Sequence, residues 1–194
     1  MKAASATELI LIRHAPALND GRLCGRTDVA ADVTDGARLR AVAAEVGVPA
    51  HLIVSPALRC RQTATTLWPG VDARPDARLW EQDFGAWDGF AFADLPDLGP
   101  LPAAQLAAHR PPGGESFADL CARVAPALQD MSAPDSTVIV AHAGTVRAAL
   151  ACALDSIPAA LAFEVMPLSV TRLLRLRSGQ WVIGMVNWQP TGPG

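Results

Sequence analysis

The chain has 194 residues, a formal net charge of −3 and a hydrophobic content of 51%, which suits a compact globular chain and excludes a disordered or repetitive one. Charged residues make up 18% and Lys2 is the only lysine, so the clustered basic face that holds nucleic-acid phosphates is lacking and no nucleic-acid partner is expected. Cys24, Cys60, Cys121 and Cys152 are scattered without zinc-ligand spacing, so reduced thiols and no metal are expected.

The opening MKAASATELILIRHA carries too short an apolar run for a secretion signal, and the apolar run around 138–154 is broken by His142 and Arg147. A cytoplasmic protein without membrane contact is expected. Leu9 to Ile12 is apolar on both faces, as in a strand buried within a parallel sheet, and it stops at Arg13-His14. Near Gly36 to Val46 the apolar spacing predicts an amphipathic helix. A second strand, His51 to Val54, meets Ser55-Pro56, a pair suited to cap and start a helix running to Trp68. A further helix starts at Ser116, with Asp119 completing a capping pair, and Pro126 is expected to kink it or end it early. The third strand, Thr137 to Ala141, passes through His142-Ala143-Gly144 to a helix from about Thr145. Val170 to Arg177 and Gln180 to Trp188 flank Ser178-Gly179 as a hairpin.

Strands alternating with helices indicate an α/β fold, a three-layer α/β/α sandwich with a mainly parallel mixed sheet and a C-terminal antiparallel hairpin. One domain over 1–194 is expected, with 91–114 as a cap excursion and 189–194 as a loose tail.

Ligands of open α/β sheets bind beyond the carboxyl ends of the strands. Three such ends carry Arg13-His14, Ser55 to Arg59, and His142. Arg59 lies in the first turn of its helix, near the positive end of the helix dipole, where an anion is the natural guest. Each of these residues alone has an ordinary structural reading. Two histidines and two arginines in one crevice would leave unpaired positive charge at high desolvation cost unless a dianion neutralises it. Glu81, in LWEQDFGAWDG, is a candidate proton donor if burial there favours its protonated form, with Asp83 and Asp88 weaker candidates. His51 and His109 have no motif around them and read as structural or surface residues.

Together the segments LIRHA, SPALRCRQTA, LWEQDFGAWDG and VIVAHAGTVRAAL resemble, in order, the motifs of the histidine phosphatase superfamily, the group of phosphoglycerate mutases and many small phosphatases. The resemblance implies that His14 is the nucleophile, that Arg13, Arg59 and His142 hold the phosphoryl oxygens, and that Glu81 is the acid, with no metal or cofactor. Ala15 and Ala143 stand where the family often has glycine; the backbone of Ala143 joins the phosphate site by this resemblance. The family's asparagine six positions after the nucleophile is matched by Asp20, so Asn19, one position earlier, is carried as a pocket residue. PPGGESFADLCARVAPAL resembles a segment of the alpha-ribazole phosphatases, which implies a small phosphorylated substrate such as alpha-ribazole 5'-phosphate. A phosphoglycerate mutase, a phosphoprotein phosphatase and a non-catalytic phosphate sensor remain alternatives.

Overall fold

The computed structural model describes residues 6–131 and 136–190. Six strands form one mixed sheet in the order β3-β2-β4-β1-β5-β6. These are β1 (Thr7–Arg13), β2 (His51–Val54), β3 (Ala73–Pro75), β4 (Thr137–Ala141), β5 (Val170–Arg175) and β6 (Trp181–Trp188). The first four run parallel, with β4 between β1 and β2, while β5 and β6 add the antiparallel pair. The helices are α1 (Gly36–Val46), α2 (Leu58–Leu67), α3 (Ala103–Ala108), α4 (Phe117–Asp130), α5 (Ala143–Leu154) and α6 (Ile157–Ala160).

Alternation along the central strands builds two apolar layers. Leu9, Leu11, Ile139 and Ala141 face α4 and α5, whereas Ile10, Ile12, Val138 and Val140 face α1 and α2. Covered on both sides, Leu9 to Ile12 are at most 2% exposed, and burying each such side chain contributes about 1.5–3 kcal/mol. The three-layer arrangement follows from that double burial.

Local signals were overridden at several points. Helix α2 starts at Leu58, with Ala57 in the cap position, because Ser55 Oγ is engaged by His142 Nε2 at 2.8 Å. Asp28 serves the helix end instead, its Oδ1 accepting from Leu58 N at 2.6 Å. Helix α4 has the expected Ser116–Asp119 capping box and continues through Pro126 to Asp130. Pro126 is exposed, so the carbonyl it leaves free meets water, and buried Ala127 and Leu128 hold the following turn to the core. Arg175 then donates to the carbonyls of Leu128, Gln129 and Met131 at the helix end. Strand β3, which no apolar run announces, is a short edge strand, where Pro75 costs no ladder bond to a further neighbour.

Within 91–114 the chain forms a 3-10 turn at Phe92–Asp94 and the short α3, packed on α4 and α6. Of the expected loose tail, Gln189 accepts from Arg38 at 2.9 Å, and 191–194 lie outside the described residues. Among the described residues no helix is long and apolar enough to cross a membrane. Removing the remote cap by Asp28→Ala is expected to lower stability by about 0.5–2 kcal/mol, measured by urea denaturation, with Asp28→Asn recovering most of the loss.

Candidate active site

The carboxyl ends of β1, β2 and β4 lie side by side, and the residues leaving them converge. The His14 backbone is fastened to the end of β4 by its N–H to Ala141 O at 2.9 Å. Its ring lies 5.2 Å from that of His142, centroid to centroid, at 70°. His14 Nδ1 is 2.6 Å from Ala15 O. A carbonyl only accepts, so Nδ1 carries the proton and Nε2 keeps its lone pair. Ala15 is itself held by its N–H to Thr63 Oγ1 at 2.9 Å, and Thr63 donates to Arg59 O at 2.7 Å.

Arg59, 1% exposed, donates to the carbonyls of Thr27 at 3.1 Å, Cys24 at 3.2 Å and Gly25 at 3.0 Å. Those carbonyls are presented by a loop whose amides converge on Asp88, which accepts from Gly25, Arg26 and Thr27. Arg13 donates to Val165 O at 2.6 Å, while its buried Nε has no hydrogen-bond partner among the described residues. Both guanidiniums therefore keep N–H groups for a guest.

The Glu81 carboxyl is half-buried and accepts from Gln82 N at 3.0 Å and Gly144 N at 3.4 Å. Gly144 follows His142 by two residues, so this last bond brings the carboxyl to the corner where His142 stands. Ala143 opens α5 behind His142, which caps the helix with no side-chain bond, so its amide sits at the positive end of the helix. The glycine this corner requires is Gly144: a Cβ there would fall on the Glu81 carboxyl and 2.7 Å from Leu120 Cδ2.

Other candidates are used elsewhere. Asn19 donates from Nδ2 to Arg22 O at 2.6 Å, closing a turn in which Asp20 and Gly21 have φ of 49° and 70°. Asp88 is committed to the three loop amides, and Asp83 accepts from Gly85 N at 2.8 Å. His51 is exposed at the start of β2, the far end of that strand from the crevice, and His109 stacks on Trp87 at 5.4 Å. The sequence marks neither Thr63, although it lies within the SPALRCRQTA segment, nor Gly144, and it offers Asp88 as a weaker proton-donor candidate rather than as the anchor of those loop amides. Among the described residues no group of His, Cys, Asp and Glu is placed to hold a metal ion.

Electrostatics fix the protonation states. Burial lowers the His14 pKa to about 3; its bond to Ala15 O opposes this, and the charges of Arg59 and Arg13 reinforce it. Burial, with the fields of His14, Arg59 and Arg13, likewise holds His142 well below its ordinary value. Both imidazoles are therefore neutral near pH 7. The unfolded chain takes up a proton on His14 near 6.5, the folded chain only near 3. Between those values the unfolded state binds more protons, so stability falls as pH drops from 6.5 towards 3. The expected slope from His14 is about 1.4 kcal/mol per pH unit, and His142 acts in the same direction. Denaturant titrations across this window should show a shallower slope in His14→Asn, and phosphate or vanadate should offset part of the loss in the wild type.

The profile of the histidine phosphatase superfamily (branch 1) matches residues 9–189. The glucosyl-3-phosphoglycerate phosphatase of Mycobacterium tuberculosis is 32% identical over 179 residues, covering 80% of this chain and 78% of that protein. A solved mycobacterial glucosyl-3-phosphoglycerate phosphatase complexed with VO3 superposes with a TM-score of 0.82 at 27% identity, over 94% of this chain and 99% of that one. A putative alpha-ribazole-5'-P phosphatase from Escherichia coli K-12 superposes with a TM-score of 0.80 over 97% of this chain and 100% of that one, but at 19% identity it bears on the fold alone. Matched over nearly its whole length, the chain belongs to the histidine phosphatase superfamily, branch 1, and is a phosphatase.

Proposed function

We propose that the chain hydrolyses a small phosphomonoester by way of a phosphohistidine at His14. The observation that carries this reading is the Nδ1 contact to Ala15 O at 2.6 Å, which leaves a neutral imidazole with its Nε2 lone pair available beside Arg13 and Arg59. In the first displacement Nε2 attacks phosphorus, the ester oxygen departs, and Glu81 gives it a proton. In the second, water attacks the phosphohistidine, Glu81 accepts the water's proton, the N–P bond breaks, and inorganic phosphate leaves neutral His14 behind. Arg13, Arg59, His142 and the Ala143 amide hold the phosphoryl oxygens, where catalysis is mostly positioning and charge neutralisation. Asn19 stays outside this set because its amide closes its own turn.

For the substrate, a phosphoglycerate-bearing metabolite is better supported than alpha-ribazole 5'-phosphate. The first draws on a curated relative at 32% identity, the second on a structural likeness at 19%. Phosphate release from both compounds, a phosphopeptide and 3-phosphoglycerate, with mutase turnover run alongside, separates these substrates from the mutase and phosphoprotein alternatives.

Wild-type protein is expected to retain acid-labile label after brief exposure to a labelled ester, and His14→Ala to lose both label and turnover. Full turnover in that variant would remove the mechanism, and label without turnover would favour a phosphate sensor. Gly144→Ala, which displaces the Glu81 carboxyl, is expected to lower kcat about 10-fold or more with a small effect on phosphate inhibition, within the range general acid catalysis supplies. Steady-state kinetics on an alkyl ester checks it.

A further inference from the structure

The segment PPGGESFADLCARV, which runs from the end of the cap excursion into α4, is where the Glu81 loop is held. Arg123, on α4, donates through Nη1 to Arg78 O at 2.7 Å and Trp80 O at 2.9 Å, and through Nη2 to Glu81 O at 3.2 Å. The same guanidinium grips Glu115 with both carboxylate oxygens, at 2.9 and 2.7 Å. Glu115 in turn accepts from Asp83 N at 3.1 Å on its carboxylate and from Gln82 Nε2 at 2.7 Å on its carbonyl. Leu79 O, between these points, takes Thr145 Oγ1 at 3.3 Å. Gly114 lies so close beneath the loop that a Cβ would meet Gly85 N at 2.8 Å. From Arg78 to Asp83, then, each residue of the loop is fastened.

Among the described residues the Glu81 carboxyl itself has two amide donors, one of them at 3.4 Å. We propose that Arg123, charge-paired with Glu115, is a positioning residue that fixes Glu81 at the reaction centre through the backbone alone. The chemistry favours such an indirect hold. A guanidinium placed directly on Glu81 would favour its ionised form and oppose donation of a proton to a departing oxygen. Gripping carbonyls, with the charge spent on Glu115, fixes the acid without pairing with it. Burial pushes the Glu115 carboxyl up, but hydrogen bonds from Arg123 and Asp83 N and the charges of Arg123 and Arg26 hold it below its ordinary value, so the pair stays ionised at neutral pH.

The inference rests on the reading of Glu81 as proton donor, and one experiment tests the two separately. The ratio of kcat/KM for an alkyl phosphate to that for p-nitrophenyl phosphate is measured in Arg123→Lys, Arg123→Gln, Glu115→Gln and, as reference, Glu81→Gln. An alkoxide needs a proton to leave and p-nitrophenolate does not. Displacing the acid should therefore cost the alkyl ester about 10²-fold while the aryl ester loses less than about fivefold. Arg123→Lys, which keeps a donor, should fall between wild type and Arg123→Gln. If Glu81→Gln shows no such bias, the reading of Glu81 fails. If Glu81→Gln shows it and the Arg123 and Glu115 variants lose both esters equally, lose neither, or all fail to fold by thermal melt, the pair is merely structural and the inference is overturned. Should Arg123→Gln alone fail to fold, Arg123→Lys and Glu115→Gln decide.

Discussion

A buried guanidinium whose partners are all carbonyl oxygens is the constraint on which the rest of the site depends. Arg59 is 1% exposed and, among the described residues, its hydrogen-bond partners are the backbone oxygens of Cys24, Gly25 and Thr27; Arg13 meets Val165 O. Neutral acceptors satisfy N–H groups but leave the charge whole, and an unneutralised buried charge is costly. Burial is the chief cause that suppresses protonation of His14 and His142, and the field of the two arginines reinforces it. Burial and that field thus act together to leave the imidazoles neutral, beside guanidinium charge of the sign an oxyanion would pair with. An oxyanion that binds beside these guanidiniums stabilises the folded chain by mass action.

Holding such a charge requires a rigid supply of carbonyls, and the loop that offers them has no secondary structure of its own. Asp88 provides the rigidity by collecting the amides of Gly25, Arg26 and Thr27. Further backbone bonds, Leu23 N to Phe90 O at 2.8 Å and Phe92 N to Gly21 O at 3.0 Å, zip the same loop to the segment after Asp88. The sheet contributes the other wall, because β4 lies between β1 and β2 and so brings His142 between the residues that leave those two strands.

What the sequence disclosed follows from where the information lies. The central strands were legible because unbroken β-branched runs have few other uses, and the spacing of Leu39, Val42 and Val46 marked α1. The start of α2 was not legible, since Ser55 looks like a local cap until a partner 87 residues away, His142, claims its hydroxyl. Pro126 misled for a related reason: whether proline ends a helix depends on whether the freed carbonyl faces water. In the site, the residues that bring charge to strand ends could be read from position and type. The roles of Thr63, Asp88, Arg123 and Glu115 could not, because these side chains act on backbone atoms, and a sequence does not say which backbone atoms come near.

That distinction changes what the Gly-Gly-Glu-Ser segment can tell about substrate. Its glutamate is consumed in gripping Arg123 and the amide of Asp83, and Gly114 packs against Gly85. In this chain the segment is occupied in holding the Glu81 loop, so its sequence says nothing of a ribose or a base. Arg13, His14 and His142 stand at strand ends, while the Glu81 loop hangs from α4. Residues 91–113 lie between these two supports in sequence, and none of them supplies a partner to Arg13, His14, Arg59, Glu81 or His142 in the contacts described. Solved structures named for different substrates share this fold, so the choice of ester is a property of the site and not of the fold.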